Sequence, residues 1–98
     1  MEFEKAIRMA VDTGKTEFGS RRAISLALSG SAKLFVVAVN APASIKRDIE
    51  SNAKASNIPV KIFKGSSVEL GSVCGVPHPI AVLSVLEPGN STILQEQQ

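Results

Sequence analysis

A chain of 98 residues holds surface for one hydrophobic core, and with 44% hydrophobic and 20% charged residues it is too apolar for disorder, so a single folded domain over 1–98 is expected. One cysteine, Cys74, excludes an internal disulfide, no apolar run approaches the ~20 residues of a membrane span, and the start Met1 to Lys5 lacks a secretory pattern, which together predict a cytoplasmic protein. The net charge of +2 does not by itself announce nucleic acid, yet from Thr13 to Arg47 six bases face only Glu17, so that stretch carries +5 and the remainder −3.

Phe3, Ala6, Ile7, Ala10 and Val11 recur at helical spacing and predict an amphipathic helix over 2–12, stopped at Asp12-Thr13-Gly14. An extended piece, Lys15 to Phe18, leads to Gly19-Ser20, where a second helix starts; its apolar positions are Ala23, Ile24, Ala27 and Leu28, and it ends at Gly30. Leu34 to Val39 is an unbroken valine-rich run, short enough for a strand buried on both faces. Asn40-Ala41-Pro42 turns into a third helix with proline in its first turn, a buried stripe of Ile45, Ile49 and Ala53, and Asn57 as a left-handed terminator.

Val60 to Phe63 alternates as a strand does. Ser66 and Glu69 have capping-box spacing and predict a brief fourth helix from Ser67 to Cys74, stopped at Gly75. Val76-Pro77-His78-Pro79 cannot be helical; Ile80 to Leu86 follows as a strand, Glu87 to Asn90 as a turn, Ser91 to Leu94 as a last extended piece, and Gln95 to Gln98 as a mobile polar tail. Alternating helices and strands predict an α/β fold, a three-layer α/β/α sandwich around a mixed sheet of about four strands.

Three segments compete for a functional end of such a sheet. Gly19-Ser20-Arg21-Arg22 opens a helix, where unpaired amides, a positive dipole end and two arginines make a phosphate seat with Ser20 as cap; the alternative is a glycine turn with two solvated charges. No Walker spacing is present, so nucleotide hydrolysis gains no support. Asn40 can offer a donor and an acceptor to a base edge, or merely cap the third helix. The loops Gly65-Ser66-Ser67 and Gly75 to Ile80, the second stiffened by two prolines, can pack against splayed bases, or be plain loops. Cys74 and His78 lack an orienting acid for catalysis and fall short of a zinc ligand set, so no catalytic residue, metal or cofactor is assigned. Phe3, Phe18, Phe35 and Phe63 occupy mostly core-facing positions, leaving no stacking platform for extended single strands.

The string Asp12-Thr13-Gly14-Lys15, Gly19-Ser20-Arg21-Arg22, Ala32-Lys33-Leu34 to Pro42, Phe63-Lys64-Gly65, Val68-Glu69-Leu70-Gly71, Gly75 and Glu87-Pro88-Gly89 resembles, over nearly the whole chain, the ribosomal protein thirty family of the archaeal and eukaryotic large subunit. That family lies within a wider superfamily of kink-turn RNA binders with a three-layer α/β/α fold. The resemblance implies a non-enzymatic structural protein of the large ribosomal subunit, monomeric when free, with ribosomal RNA as partner and no membrane or small-molecule substrate. It implies Gly19, Ser20 and Arg21 against a kinked backbone with Lys15 and Arg22 nearby, Asn40 on a base at the bend, Gly65, Ser66 and Ser67 lining a loop, and His78 and Ile80 against unstacked bases. Glu69 fits either a cap or an RNA-side acceptor. The superfamily's usual Asn-Glu pair at the second helix start is replaced by Arg21-Arg22, so its guanine contacts do not carry over and the ribosomal branch is favoured; compactness points to the archaeal version. A core protein of small nucleolar or ribonuclease particles, and a protein-interaction or regulatory domain, remain the alternatives.

Overall fold

A strand apolar on both faces needs a covering layer on each, so the Leu34 run decides the architecture. In the computed structural model, which describes residues 2–94, helices and strands alternate as α1 (Glu2–Thr13), β1 (Lys15–Phe18), α2 (Ser20–Ser29), β2 (Leu34–Ala38), α3 (Ala43–Ala55), β3 (Val60–Phe63), α4 (Ser67–Cys74) and β4 (Val82–Glu87). The strands form one sheet in the order β1-β4-β2-β3, with β2 and β3 parallel and β4 antiparallel to both β1 and β2. The parallel pair requires a crossover, which α3 supplies.

Every residue of β2 is buried. Leu34, Val36 and Ala38 pack with Ile7, Leu70 and Leu83 on the α1 and α4 side, while Phe35 and Val37 pack with Leu26, Ile49 and Val82 on the α2 and α3 side. The expected three-layer sandwich is therefore built on two apolar cores, one to each face of the sheet.

Several local expectations give way. Leu28 is 71% exposed, because the buried stripe of α2 is Ala23, Leu26 and Ala27, and a turn of about 100° per residue carries Leu28 to its flank. Pro42 stands before α3 as its N-cap rather than inside the first turn. The last strand opens at Val82, not Ile80, since Ile80 N donates to Ser67 O in α4 instead of a strand neighbour. Ser91 to Leu94 forms no strand: Ile93 and Leu94 lie in a turn, with Ile93 fully buried and Ser91 Oγ bonded to Ala6 O. The predicted mobility of Gln95 to Gln98 lies outside the described residues.

Candidate nucleic-acid interface

Because β1, β2 and β3 run in one direction, each hands the chain to a helix at the same edge of the sheet: α2 after Phe18, α3 after Ala38, α4 after Phe63. Three helix N-termini, the positive ends of their dipoles, collect where β4 begins. Main-chain hydrogen bonds stitch this edge together. Gly19 N donates to Val82 O at 3.0 Å, Ala38 N to Ala81 O at 2.9 Å, Val39 N to Phe63 O at 2.9 Å and Gly65 O at 3.3 Å, and Ile80 N to Ser67 O at 2.9 Å. Gly19, Asn40, the Gly65–Ser67 loop and the loop carrying His78 are thereby neighbours on one edge.

At the start of α2, Gly19 is the N-cap with φ 107° and ψ 149°, a region essentially reserved for glycine. Glycine brings no side chain, so the first-turn amides of Ser20, Arg21 and Arg22 have no side-chain cap. Ser20, expected to cap, is instead the first residue inside the helix. No acid occupies that turn, which leaves the amides open to an anion. Arg21 is exposed and forms no ion pair among the described residues, whereas Arg22 Nε meets Glu17 Oε1 at 3.2 Å. Phe18, Gly19, Ser20, Arg21, Arg22 and Ser25 line a shallow depression of about 560 Å³ here.

Lys15 does not join this group. It begins β1 opposite Glu87, at the far edge of the sheet, roughly 13 Å of strand from Gly19 at about 3.3 Å per residue. Sequence proximity misled because β1 spans the sheet between the two positions.

Asn40 does not cap α3, and its side-chain oxygen is already engaged. Its Oδ1 accepts the Ser67 amide at 2.8 Å, capping α4 from a different loop. Ser66 Oγ accepts from Glu69 N at 3.2 Å and lies 3.4 Å from Glu69 Oε1, so Glu69 belongs to the cap of α4. Asn40 is left with donors: its Nδ2 and its own N–H have no partner among the described residues. Such a pair suits phosphate oxygens or base acceptors.

On the far side of α4, a Cβ on Gly71 would stand 2.1 Å from His78 O. Only glycine lets the helix and the following loop pack backbone against backbone, and this contact fixes His78 in place. His78 is exposed, with Nδ1 3.2 Å from Pro79 O. Ile80 is 2% exposed and packs in the core with Leu70 and Cys74, so its side chain anchors the loop instead of offering a face to bases. The exposed apolar residue here is Val68, 63% exposed, which shares a shallow cleft with Val76, Pro77, His78 and Pro79. Sequence reasoning missed it, though the signal was present: Leu70 and Cys74, four apart, define the buried line of α4, and Val68 falls off it.

Burial pushes the Cys74 thiol up to about 11, only partly opposed by the Arg8 guanidinium, so it stays protonated and unreactive near neutrality. Among the described residues no group of three or more His, Cys, Asp and Glu side chains could hold a metal, and no helix is long and apolar enough to cross a membrane.

Residues 1–95 match the Ribosomal protein L7Ae/L30e/S12e/Gadd45 family. The large ribosomal subunit protein eL30 of Methanosphaera stadtmanae and that of Methanothermobacter thermautotrophicus are each 50% identical over 95 residues, covering 97% of both chains. Its counterpart in Methanocaldococcus jannaschii is 50% identical over 97% of this chain and 86% of its own. A solved structure, a protein with unknown function from Bacillus halodurans C, superposes with a TM-score of 0.78 over 87% of this chain and 84% of that one; at 19% identity this is a likeness of fold alone. With the family pattern matched over 1–95 and archaeal relatives half identical over nearly their full length, the chain belongs to the ribosomal protein L7Ae/L30e/S12e/Gadd45 family.

Proposed function

We propose that this protein is an RNA-binding structural constituent of the large ribosomal subunit, not an enzyme, and that it stabilises a kink-turn or similar sharply bent internal loop of ribosomal RNA. The observation that carries the RNA reading is the uncapped, acid-free N-terminus of α2 beside the unpaired Arg21, on the same edge as the donors of Asn40. Unpaired amides, guanidinium and amide donors from separate loops suit a folded strand of phosphates, and a bent backbone brings phosphates to several loops at once. The exposed cleft of Val68, Pro77 and His78 supports a further contact with an unstacked base. The archaeal relatives named as large-subunit proteins place it on the ribosome.

Gel shifts against a kink-turn RNA and a straight duplex of the same length test the reading. The kinked RNA should bind far more tightly, and its affinity should fall roughly tenfold or more over a few-fold rise in salt, as several phosphate contacts require. Equal affinity for the two RNAs would remove the kink-turn role.

A further inference from the structure

Asn40 is held from two sides. Its Oδ1 accepts the Ser67 amide, and the carbonyl just before it, Val39 O, accepts Lys46 Nζ at 2.5 Å from the first turns of α3. Lys46 is half-buried while its neighbours Arg47 and Asp48 are exposed, and no carboxylate pairs with it among the described residues. Its ammonium thus folds back onto the main chain, in a charge-assisted bond at the surface beside the exposed Val39. No other hydrogen bond to Val39 O is present among the described residues.

Peptide planarity extends the effect. The C=O and the following N–H of a trans peptide point in opposite directions. Anchoring Val39 O therefore aims the unpaired N–H of Asn40 away from Lys46 and fixes the base of the Asn40 side chain. Without the anchor, the peptide would be free to rock, and RNA binding would have to restore the order that Lys46 now provides in advance.

We propose that Lys46 is a positioning residue for RNA recognition: by holding the Val39 carbonyl it sets the plane of the Val39–Asn40 peptide, and with it both donors of Asn40, without itself contacting a phosphate. This rests on the reading of Asn40 as an RNA contact. It also distinguishes Lys46 from Arg21, whose charge faces solvent unpaired.

Lys46→Met keeps the apolar stem and removes the donor, whereas Lys46→Arg keeps a charged donor; Lys46→Leu, also without a donor, replaces the methionine variant should it fail to fold. Each is titrated at several salt concentrations with a kink-turn RNA and a straight duplex, alone and combined with Asn40→Ala. Lys46→Met should lower affinity for the kinked RNA roughly five- to tenfold, about the worth of one net hydrogen bond. Duplex binding and the slope of log affinity against log salt should stay as in the wild type. Arginine should restore most of the loss, and in the Asn40→Ala background the methionine substitution should add none. Kinked-RNA affinity unchanged in Lys46→Met overturns the proposal. So does an equal loss on both RNAs with the slope reduced by about 0.7 to 0.9, the mark of a lost phosphate contact. If Asn40→Ala itself binds normally, the reading of Asn40 fails and the role of Lys46 with it; if Asn40→Ala is weakened and Lys46→Met is not, only the role of Lys46 fails.

Discussion

Gly19→Ala and Gly30→Ala together separate the stability of α2 from what its N-terminus binds. Both glycines lie at positive φ, 107° and 70°, and a Cβ at either would touch nothing within 4 Å, so strain rather than crowding sets the cost. The left-handed conformation of Gly30, the C-cap at ψ 21°, costs a non-glycine residue about 1–2 kcal/mol. The conformation of Gly19 costs about 1–3 kcal/mol. In a domain of this size each kcal/mol lowers Tm by roughly 4–8 °C, so both variants should melt visibly below the wild type in thermal scans followed by circular dichroism.

RNA affinity then divides them. Gly30 closes α2 at the opposite edge of the sheet, and the folded Gly30→Ala protein should bind a kink-turn RNA as the wild type does. At Gly19 the added methyl meets nothing within 4 Å, but relief of its strained positive φ shifts the backbone that sets the uncapped amides of α2, where a phosphate would approach. Loss of a single charge-assisted amide contact there is worth about 1.5–3 kcal/mol, roughly tenfold to a hundredfold in affinity. The comparison is a gel shift at a temperature where all three proteins are folded. Equal RNA affinities for the two variants would refute the placement of an RNA backbone against the start of α2, and unchanged melting of both would refute the strain.

Arg21→Ala should weaken kinked-RNA binding by about 1–3 kcal/mol, while Lys15→Ala, at the far edge of the sheet, should leave it unchanged in the same gel shift; the reverse order would relocate the interface. Ser84, on β4 between β1 and β2, is fully buried, and its hydroxyl has no hydrogen-bond partner among the described residues. Its removal in Ser84→Ala should raise stability in urea unfolding by about 1 kcal/mol or more, and a loss of stability would contradict this. The Cys74 thiol, raised from 9.0 to about 11 in the folded protein, loses its proton first in the unfolded chain. Stability should therefore hold below pH 9 and decline as pH climbs toward 11, by on the order of 2 kcal/mol. Cys74→Ala should flatten that decline, and an equal decline in the variant would assign it to other groups.

Much of this fold is legible in the residues because period and punctuation agree. The apolar run from Leu34, the left-handed Asn57 at φ 58° and the Ser66–Glu69 cap each have one dominant local cause, and each appears where that cause puts it. Features settled by packing between distant segments were hidden. Ile80 reads as the first residue of a strand, yet the close contact of Gly71 with His78 pulls its amide onto Ser67 and its side chain into the core. Lys15 and Arg21 read as one basic cluster until β1 separates them across the sheet. The roles of Asn40 and Lys46 depend on partners 27 and 7 residues away, on another helix start and another strand end, and no local pattern encodes them.

The common direction of β1, β2 and β3 has one more effect. Helices that all open at one edge close near the other, so the peptide dipoles of α2 and α3 reinforce each other while the formal charge stays at +2. A molecule of this kind behaves like a compass needle near a polyanion. It turns its receptive edge forward before touching, within a range of about 8 Å at physiological ionic strength, and more encounters begin in a productive orientation.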